Sequence, residues 1–285
     1  MSSPFTSSMF ESLKSALNKE SESSNNQFKD LLKLKPGNTY TVRLLPNLKS
    51  TEDTFHHYFS FGWNSLSTGK YFSVVSPSTW NQRCPIAEER ARIYRTGTAE
   101  EKEKSAVIRR REEWLVNVYV INDPVNPENN GKVKVLRYGK QLHKIIDEAI
   151  RGEEAEEFGP RIFDLSKNGC DFKIKVEEQG AGNDKYPTYV SSKFSSPKEI
   201  KGLADSEHQA IYDSVIDLKT LAQVKSYDEL KTILNEHFHC TKQVVESEEA
   251  AETPEPSKSA KTESKEPVTV DVDDVDELLK DLDTD

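Results

Sequence analysis

The chain has 285 residues, is 31% charged and 34% hydrophobic, and carries a formal net charge of −10 at pH 7. It contains no run of 18 apolar residues and no basic region followed by an apolar run, so neither a membrane span nor a secretory signal is predicted. Three scattered cysteines, Cys84, Cys170 and Cys240, are too few for a disulfide framework, and an intracellular, reducing compartment is expected.

The negative charge is concentrated at the C-terminal end. Residues 246–285 hold 15 acidic and 4 basic residues, a net charge of −11, whereas residues 1–245 hold 35 basic and 34 acidic residues. Within the nearly neutral part, residues 83–144 carry 14 Lys or Arg against 9 Asp or Glu, a net charge of +5. Such asymmetry is typical of an interaction tail attached to a body of different character.

The first 27 residues are rich in Ser and Asn, with Phe10, Leu13 and Leu17 at helical spacing. This segment is either a frayed helix on the core or an arm that docks on a neighbouring molecule. Strands are then predicted over residues 39–46, 55–63 and 70–75, each bounded by turn residues or proline. Residues 86–111, after Pro85, have a charged helical pattern.

The second half of the chain continues the mixture of strands and helices. Strands 114–121 and 132–138 form a predicted hairpin around a turn-rich loop, a helix is predicted over 141–150, and a strand over 171–177. Two helical patterns lie between residues 203 and 238, around Ile211, Val215 and Leu218 and around Tyr227, Leu230 and Leu234. Short strands with helical insertions predict a mixed β/α fold whose core is a small barrel of the oligonucleotide-binding (OB) type.

The composition changes after Val245, where Glu, Ala, Pro, Ser, Thr and Lys replace aromatic residues. Such a segment cannot bury enough apolar surface to offset its ordering entropy, so disorder is predicted. Residues 268–285 regain apolar residues at helical spacing among acids, including Val272, Val275 and Leu278, which is typical of a peptide that folds on a partner.

Binding to single-stranded nucleic acid without sequence readout needs cations along the phosphates and aromatic faces under the bases. The candidate binding residues, in which the two types interleave, are Arg109, Arg110, Arg111, Trp114, Lys132, Lys134, Arg137, Tyr138, Lys140, Phe172, Tyr186 and Tyr189. For each aromatic residue the alternative is a place in the core. Three adjacent arginines favour an anionic ligand because like charges repel, although Glu112 and Glu113 offset part of that repulsion.

Catalytic patterns are missing from the sequence. It contains no phosphate-binding glycine loop, no nucleophile elbow and no acidic triplet in the core at metal spacing, so an enzyme is not expected. The run Cys84, Pro85, Ile86, Ala87 has one cysteine where a C-x-x-C pair would need two, and the run His237, Phe238, His239, Cys240 is a compact donor cluster. Each is either a metal ligand group or a set of surface or satisfied donors.

Several motifs together resemble the T-even bacteriophage single-stranded DNA-binding, or helix-destabilising, protein family. They are RRREEW (109–114), NDPVNPENNGKV (122–133) with RYGK (137–140), RLLP (43–46), GKY (69–71), YVSSKF (189–194) and DELLKDL (276–282). The similarity extends in order over nearly the whole chain, which makes it more specific than any single motif.

The resemblance implies an OB-fold core that coats single-stranded DNA during phage replication, recombination and repair in the cytoplasm of an infected bacterial cell. By position, the cleft roles pass to Arg109, Arg110, Arg111, Trp114, Arg137, Tyr138, Lys140 and Phe172. It also implies that the acidic tail recruits replication proteins (polymerase, helicase loader, primase or recombination mediators), with the docking residues Asp276, Glu277, Leu278, Leu279, Asp281 and Leu282.

Two departures from the family pattern change the expectation. The family holds zinc through one histidine and three cysteines, but here only Cys84 remains, because the other positions fall near Ser60 and Phe61, near Ser76 and at Ala87. We therefore expect no cofactor, and a subdomain at about residues 55–95 held by Phe59, Phe61, Trp63, Tyr71, Phe72 and Trp80. The family also begins with a short basic motif that gives cooperativity, for which this chain offers only Lys14, Ser15 and Ala16.

The expected organisation is an arm over residues 1–27, which mediates self-association along DNA, a DNA-binding core over residues 28–245 and a tail over residues 246–285. The tail is expected to cover the basic cleft until DNA displaces it. The competing hypothesis is a protein scaffold or helicase-loading accessory whose core binds protein rather than DNA.

Overall fold

A computed structural model describes residues 29–182 and 185–241. These residues form two compact units: unit 1 comprises residues 29–57 and 112–223, and unit 2 comprises residues 58–111 and 224–241. Neither unit is a continuous segment, so each depends on two separate parts of the sequence. The predicted arm (residues 1–27) and tail (residues 246–285) lie outside the described residues.

The described residues form a mixed α/β architecture of short strands and helices. The strands are β1 Thr39–Leu45, β2 Phe55–Asn64, β3 Tyr71–Val75, β4 Arg110–Asn122, β5 Val133–Tyr138, β6 Phe172–Lys175, β7 Glu177–Gln179, β8 Tyr186–Thr188 and β9 Lys193–Phe194. The helices are α1 Pro85–Thr96, α2 Ala99–Ser105, α3 Lys140–Arg151, α4 His208–Asp213 and α5 Tyr227–Leu234. Within these residues, no helix is both long enough and apolar enough to cross a bilayer.

Unit 1 is built on an antiparallel sheet in which β4 lies between β5 and β1, β1 continues to β6, and β6 to β9. The predicted hairpin of β4 and β5 is confirmed, with Trp114 opposite Tyr138. The alternation of Phe172, Ile174 and Val176 buries these three side chains in one core, because successive residues of a strand face opposite sides.

The amphipathic helix α3 covers this core. Leu142, Ile146 and Ala149 occur at helical spacing and are all buried in the cluster formed by β1, β4, β5 and β6. The prediction of a helix over residues 141–150 is therefore confirmed. The position of α3 matters for the site, because its first two turns carry Lys140 and His143 to the end of the sheet where Trp114 lies.

A buried charged side chain joins the sheet of unit 1 to its loops. Arg43 is completely buried and forms an ion pair with the equally buried Asp171. Its Nη1 donates to the carbonyl oxygens of Asp164 and Ser166, both at 2.9 Å, and its Nη2 donates to that of Lys198 at 3.0 Å. All the hydrogen-bonding directions of this guanidinium are used inside the fold, so Arg43 is structural.

Unit 2 combines the hairpin of β2 and β3 with α1, α2 and α5. Its core contains Phe61 and Trp63 from the hairpin, Ile86 from α1, and Leu230 and Leu234 from α5. The last helical pattern predicted from the sequence is confirmed as α5, which continues into a π-helical turn, Asn235–His239. The core of this unit is thus completed by residues far along the chain.

Two helix predictions need correction. The pattern over residues 86–111 is not one helix: α1 ends at Thr96, Gly97 follows, and Thr98 starts α2 through a capping box with Glu101. The chain is already in strand β4 at Arg110. Likewise, α4 includes Ile211 but ends at Asp213, before the predicted helical positions further on.

Candidate nucleic-acid interface

Four aromatic rings meet where α3 begins in unit 1, and we call His57, Trp114, Tyr138 and His143 the aromatic cluster. The imidazole of His143 lies parallel to the indole of Trp114, with centroids 3.9 Å apart and planes 7° apart. His57 approaches the same indole at 5.0 Å, and the ring of Tyr138 stacks at 6.1 Å. The sheet register produces this arrangement, because Trp114 and Tyr138 are cross-strand partners.

Two of these rings contain buried polar atoms for which the described residues provide no hydrogen-bond partner: the hydroxyl of Tyr138 and Nδ1 of His143. Burial raises the pKa of the Tyr138 phenol far above its ordinary value. Burial is also the largest influence on His143, where it lowers the imidazole pKa, since desolvation disfavours the charged form. Both rings are therefore neutral at pH 7.

A carboxylate connects the aromatic cluster to a cation. Oε1 of Glu112 lies 3.0 Å from Nε2 of His57, and Oε2 of the same carboxylate lies 3.5 Å from Nζ of Lys140. Lys140 is the first residue of α3 and is exposed. The arrangement places an ammonium group and an imidazole beside stacked aromatic rings. A cation for the phosphates and an aromatic face for the bases are the two kinds of group that bind a nucleic-acid strand.

The other predicted cations of β5 are divided between different environments. Arg137 and Tyr138 are neighbours in a strand and so face opposite sides of the sheet, and Arg137 lies 3.8 Å from Glu113. Lys134 is largely covered and donates to the carbonyl oxygen of Lys29 at 3.0 Å. Lys132 is exposed. Lys132, Lys134 and Arg137 therefore lie in different environments, and their roles on DNA stay predictions.

Phe172 also needs correction. Its ring is completely buried and stacks on Phe194 at 4.5 Å, so it belongs to the core and offers no face to a base. Tyr186, on β8, is exposed. Tyr189 is half-buried, and its backbone N–H donates to the side-chain oxygen of Gln141 at 2.9 Å, which ties this segment to the first turn of α3.

The three adjacent arginines of unit 2 have different roles. Arg110 is buried with its guanidinium 4.2 Å from the ring centroid of Phe59, a cation–π contact that removes it from the surface. Its predicted role on phosphate is therefore corrected to packing. Arg109 is exposed. Arg111 is exposed as well and donates from Nη1 to the hydroxyl of Tyr71 at 2.8 Å.

The pair of Arg111 and Tyr71 places an exposed cation beside an exposed ring, since 56% of Tyr71 is accessible. Gly62 allows this contact: a Cβ there would lie 2.4 Å from the Tyr71 hydroxyl and 3.4 Å from Nη1 of Arg111. Tyr71, predicted to help hold the subdomain together, therefore lies outside the apolar core of unit 2. Trp80, 41% exposed, is likewise not part of the core that Phe61 and Trp63 form.

Residues 35–238 match the family described as gp32 DNA binding protein like, which is more than half of the chain. The chain belongs to this family. It is similar to the single-stranded DNA-binding proteins of Enterobacteria phages T4 and T2, at 28% and 26% identity over 201 residues. Each match covers 67% of this chain and 63% of the relative, so the chain spans less than two thirds of the length of these proteins. The family resemblance inferred from the motifs is confirmed.

The zinc that the family resemblance implies can be tested against the residues present. Ser76, Cys84 and Ala87 are all buried, and Phe61 lies in the same core as Cys84. Ser76 Oγ lies 2.9 Å from Oγ of Ser78 and also hydrogen-bonds the Cys84 thiol, whose pKa is raised chiefly by burial. Phenylalanine and alanine supply no donor, so these positions do not fit a four-ligand zinc site.

The donor cluster of His237, His239 and Cys240 does not form a metal site, because its members have separate contacts. Nδ1 of His237 lies 3.0 Å from Oγ of Ser65, and Nε2 of His239 lies 3.4 Å from Glu89. Cys240 is exposed in a left-handed conformation with φ 59°. Over residues 29–182 and 185–241, no group of three or more His, Cys, Asp or Glu is arranged to hold a metal.

Three residues of the candidate interface are not among the predicted binding residues: His57, His143 and Tyr71. His143 lies one turn after Lys140 in α3, next to the buried positions Leu142 and Ile146. The helical spacing of these residues could have indicated that His143 lies at the edge of the core, near Lys140. The docking residues Asp276, Glu277, Leu278, Leu279, Asp281 and Leu282 lie outside the described residues and remain predictions.

Proposed function

We propose that this chain is a binding protein rather than an enzyme and that it binds single-stranded DNA without reading its sequence. The observation that carries the proposal is the pairing of rings with cations in a member of this family: Tyr71 with Arg111 in unit 2, and the aromatic cluster with Lys140 in unit 1. Phosphates are uniform along a strand and every base has a stacking face, so such pairs recognise the strand and not its sequence.

The affinity is expected to be electrostatic in large part. Cations that neutralise phosphates release condensed counterions, which makes the affinity fall steeply with salt concentration. Unpaired bases held on the protein shift the duplex equilibrium towards melting, because paired bases do not offer their faces. Each unit contributes its own contacts to this proposal.

The first test is a fluorescence titration of the full chain with oligothymidylate at several salt concentrations. Binding should quench tryptophan emission, and Arg111→Gln should weaken binding and reduce the slope of log K against log salt by about one. The matched control is Arg92→Gln, since Arg92 is also in unit 2 but is paired with Glu89 on α1. Absence of binding by the unaltered chain would contradict the proposed function, and equal slopes for both variants would remove Arg111 from the interface.

We further propose an OB-type barrel for unit 1 and roles in phage replication, recombination and repair inside the infected bacterial cell. An antiparallel sheet of five strands covered by α3 supports the barrel, as does the irregular register between Thr41 and Val42 of β1, since bulges help sheets to curve. Self-association through the N-terminal arm and recruitment of replication proteins through the acidic tail are proposals from the sequence.

We also propose that unit 2 folds without zinc. The support is chemical: the family resemblance puts one cysteine position near Ser76, another at Ala87 and the histidine position near Ser60 and Phe61, and none of these residues is a cysteine or histidine. Hydrogen bonds and apolar packing then stabilise the part of unit 2 that a metal ion would otherwise stabilise.

The metal proposal predicts less than about 0.1 zinc per chain by elemental analysis and an unchanged thermal midpoint in the presence of a chelator. Cys84→Ala is the matched control, because a zinc ion bound through this thiol would be lost from the variant. Zinc near one equivalent per chain that disappears in Cys84→Ala would contradict the proposal.

A further inference from the structure

Trp114 is the most prominent aromatic residue of the proposed DNA interface, yet it has little surface to offer. Only 8% of the residue is exposed, and the imidazoles of His57 and His143 lie against its indole at 5.0 and 3.9 Å. A base that approaches this end of unit 1 therefore meets the histidines before it meets the indole. Trp114 supports the two imidazole rings from beneath.

His57 is the outermost ring of the cluster, with 41% of its side chain exposed. Its Nε2 and the ammonium of Lys140 hold the two oxygens of the same Glu112 carboxylate. A phosphate that replaces Glu112 on either group finds a donor already positioned, since carboxylate and phosphate accept the same kind of charge-assisted hydrogen bond.

His143 differs in that its ring is only partly exposed and its Nδ1 is buried without a partner among the described residues. The parallel stack on Trp114 fixes the plane of the imidazole. The ring is thus held in one orientation at the edge of the cluster. Protonation of the imidazole would place a charge beside its buried Nδ1, which has no partner among the described residues.

We propose that His57 and His143 are DNA-contacting residues of unit 1 and that the strand binds with uptake of a proton at His143. The inference rests on the proposed function, since it requires that the aromatic cluster receives single-stranded DNA. The groups recognised are the phosphates of the strand.

The charges around the pair are already balanced in the free protein. His143 faces Asp147 and Arg151 on α3, Glu112 on β4 and His57 on β2. Asp147 is paired with Arg151, and Glu112 with Lys140 and His57. A phosphate is therefore an added anion, and an added anion favours the protonated imidazole.

The sign of the pH effect follows from linkage. Burial holds the pKa of His143 below its ordinary value in the free protein, and a bound phosphate raises it again. The complex then carries more protons than the free protein, so affinity increases as the pH falls. A rise of one unit in the pKa of one imidazole corresponds to about a tenfold gain in affinity across the titration.

The test is a titration of the full chain with oligothymidylate that lacks terminal phosphates, at constant ionic strength from pH 8 to pH 5.5. The unaltered chain should gain about tenfold in affinity, and the double variant His57→Gln/His143→Gln should gain less than about twofold. His208→Gln is the matched control in unit 1, because His208 lies on α4 beside Asp205, and it should retain the full gain.

A second measurement needs no substitution in the protein that is titrated. Imidazole NMR resonances of the unaltered chain, assigned with the single variants, should shift for His57 and His143 on addition of the oligonucleotide, and the titration of His143 should move to higher pH. Absence of binding at every pH would contradict the proposed function itself. Binding with the same pH dependence in all variants, or with both resonances unmoved, would overturn only the role of the histidines.

Discussion

Replacing Asp171 with alanine should lower the free energy of unfolding of unit 1 by about 3–5 kcal/mol. The variant leaves the guanidinium of Arg43 completely buried with no carboxylate to neutralise it. A buried charge that has lost its partner costs far more than the pair contributes, because its desolvation is no longer compensated.

The second contact of Asp171 supplies the control. Nζ of Lys198 lies 2.7 Å from Oδ2, but the Lys198 side chain is half-exposed, so Lys198→Ala should cost less than about 1 kcal/mol. Urea unfolding followed by hydrogen exchange of β1 and β6 peptides measures both variants in the unit concerned. Equal losses in the two variants would show that Arg43 does not depend on Asp171.

The second large loss is expected in unit 2, where Leu230→Ala should cost about 2–5 kcal/mol. Leu230 is completely buried between α5 and the rest of the core, and its truncation leaves a cavity that close-packed neighbours fill only in part. The loss should be large in a unit that we propose to lack a metal, because apolar packing then provides most of its stability.

Leu66→Ala is the matched control, since the same substitution is made in the same unit at an exposed position, and it should change stability by no more than about 0.5 kcal/mol. Hydrogen exchange of peptides from α1 and β2 reports the outcome. Protection that is the same in both variants would mean that α5 does not stabilise this unit.

Local patterns made much of the fold predictable. The alternation in β6 and the spacing of Leu142, Ile146 and Ala149 in α3 each have a single period and a buried face, so the residues themselves indicate the element. The break between α1 and α2 also has a sequence signal, since Thr98 and Glu101 form a capping box. The charged helical pattern continues on both sides of this signal, so the sequence was interpreted as a single helix.

The site was less predictable because it depends on which face a side chain takes and what covers it. Phe172 and Arg110 have the residue types of a DNA-binding site, but the strand period places Phe172 in the core and Phe59 covers Arg110. Contacts over long sequence separations, such as Arg43 with Asp171 or Arg111 with Tyr71, leave no local pattern. His57 was missed for the same reason: its neighbours Trp114 and Glu112 are distant in sequence.

The order in which the two units are completed during synthesis follows from their segments. Unit 1 begins with residues 29–57 and is complete only when residues 112–223 have been synthesised. Unit 2 is complete only after α5, which is synthesised later still. Until then the apolar side chains of Phe61, Trp63 and Ile86 lack their final cover on the growing chain. A chain arrested before Tyr227 would expose that surface, and exposed apolar surface in incomplete folds promotes aggregation. We therefore expect a chain that ends before α5 to aggregate more readily than the full chain.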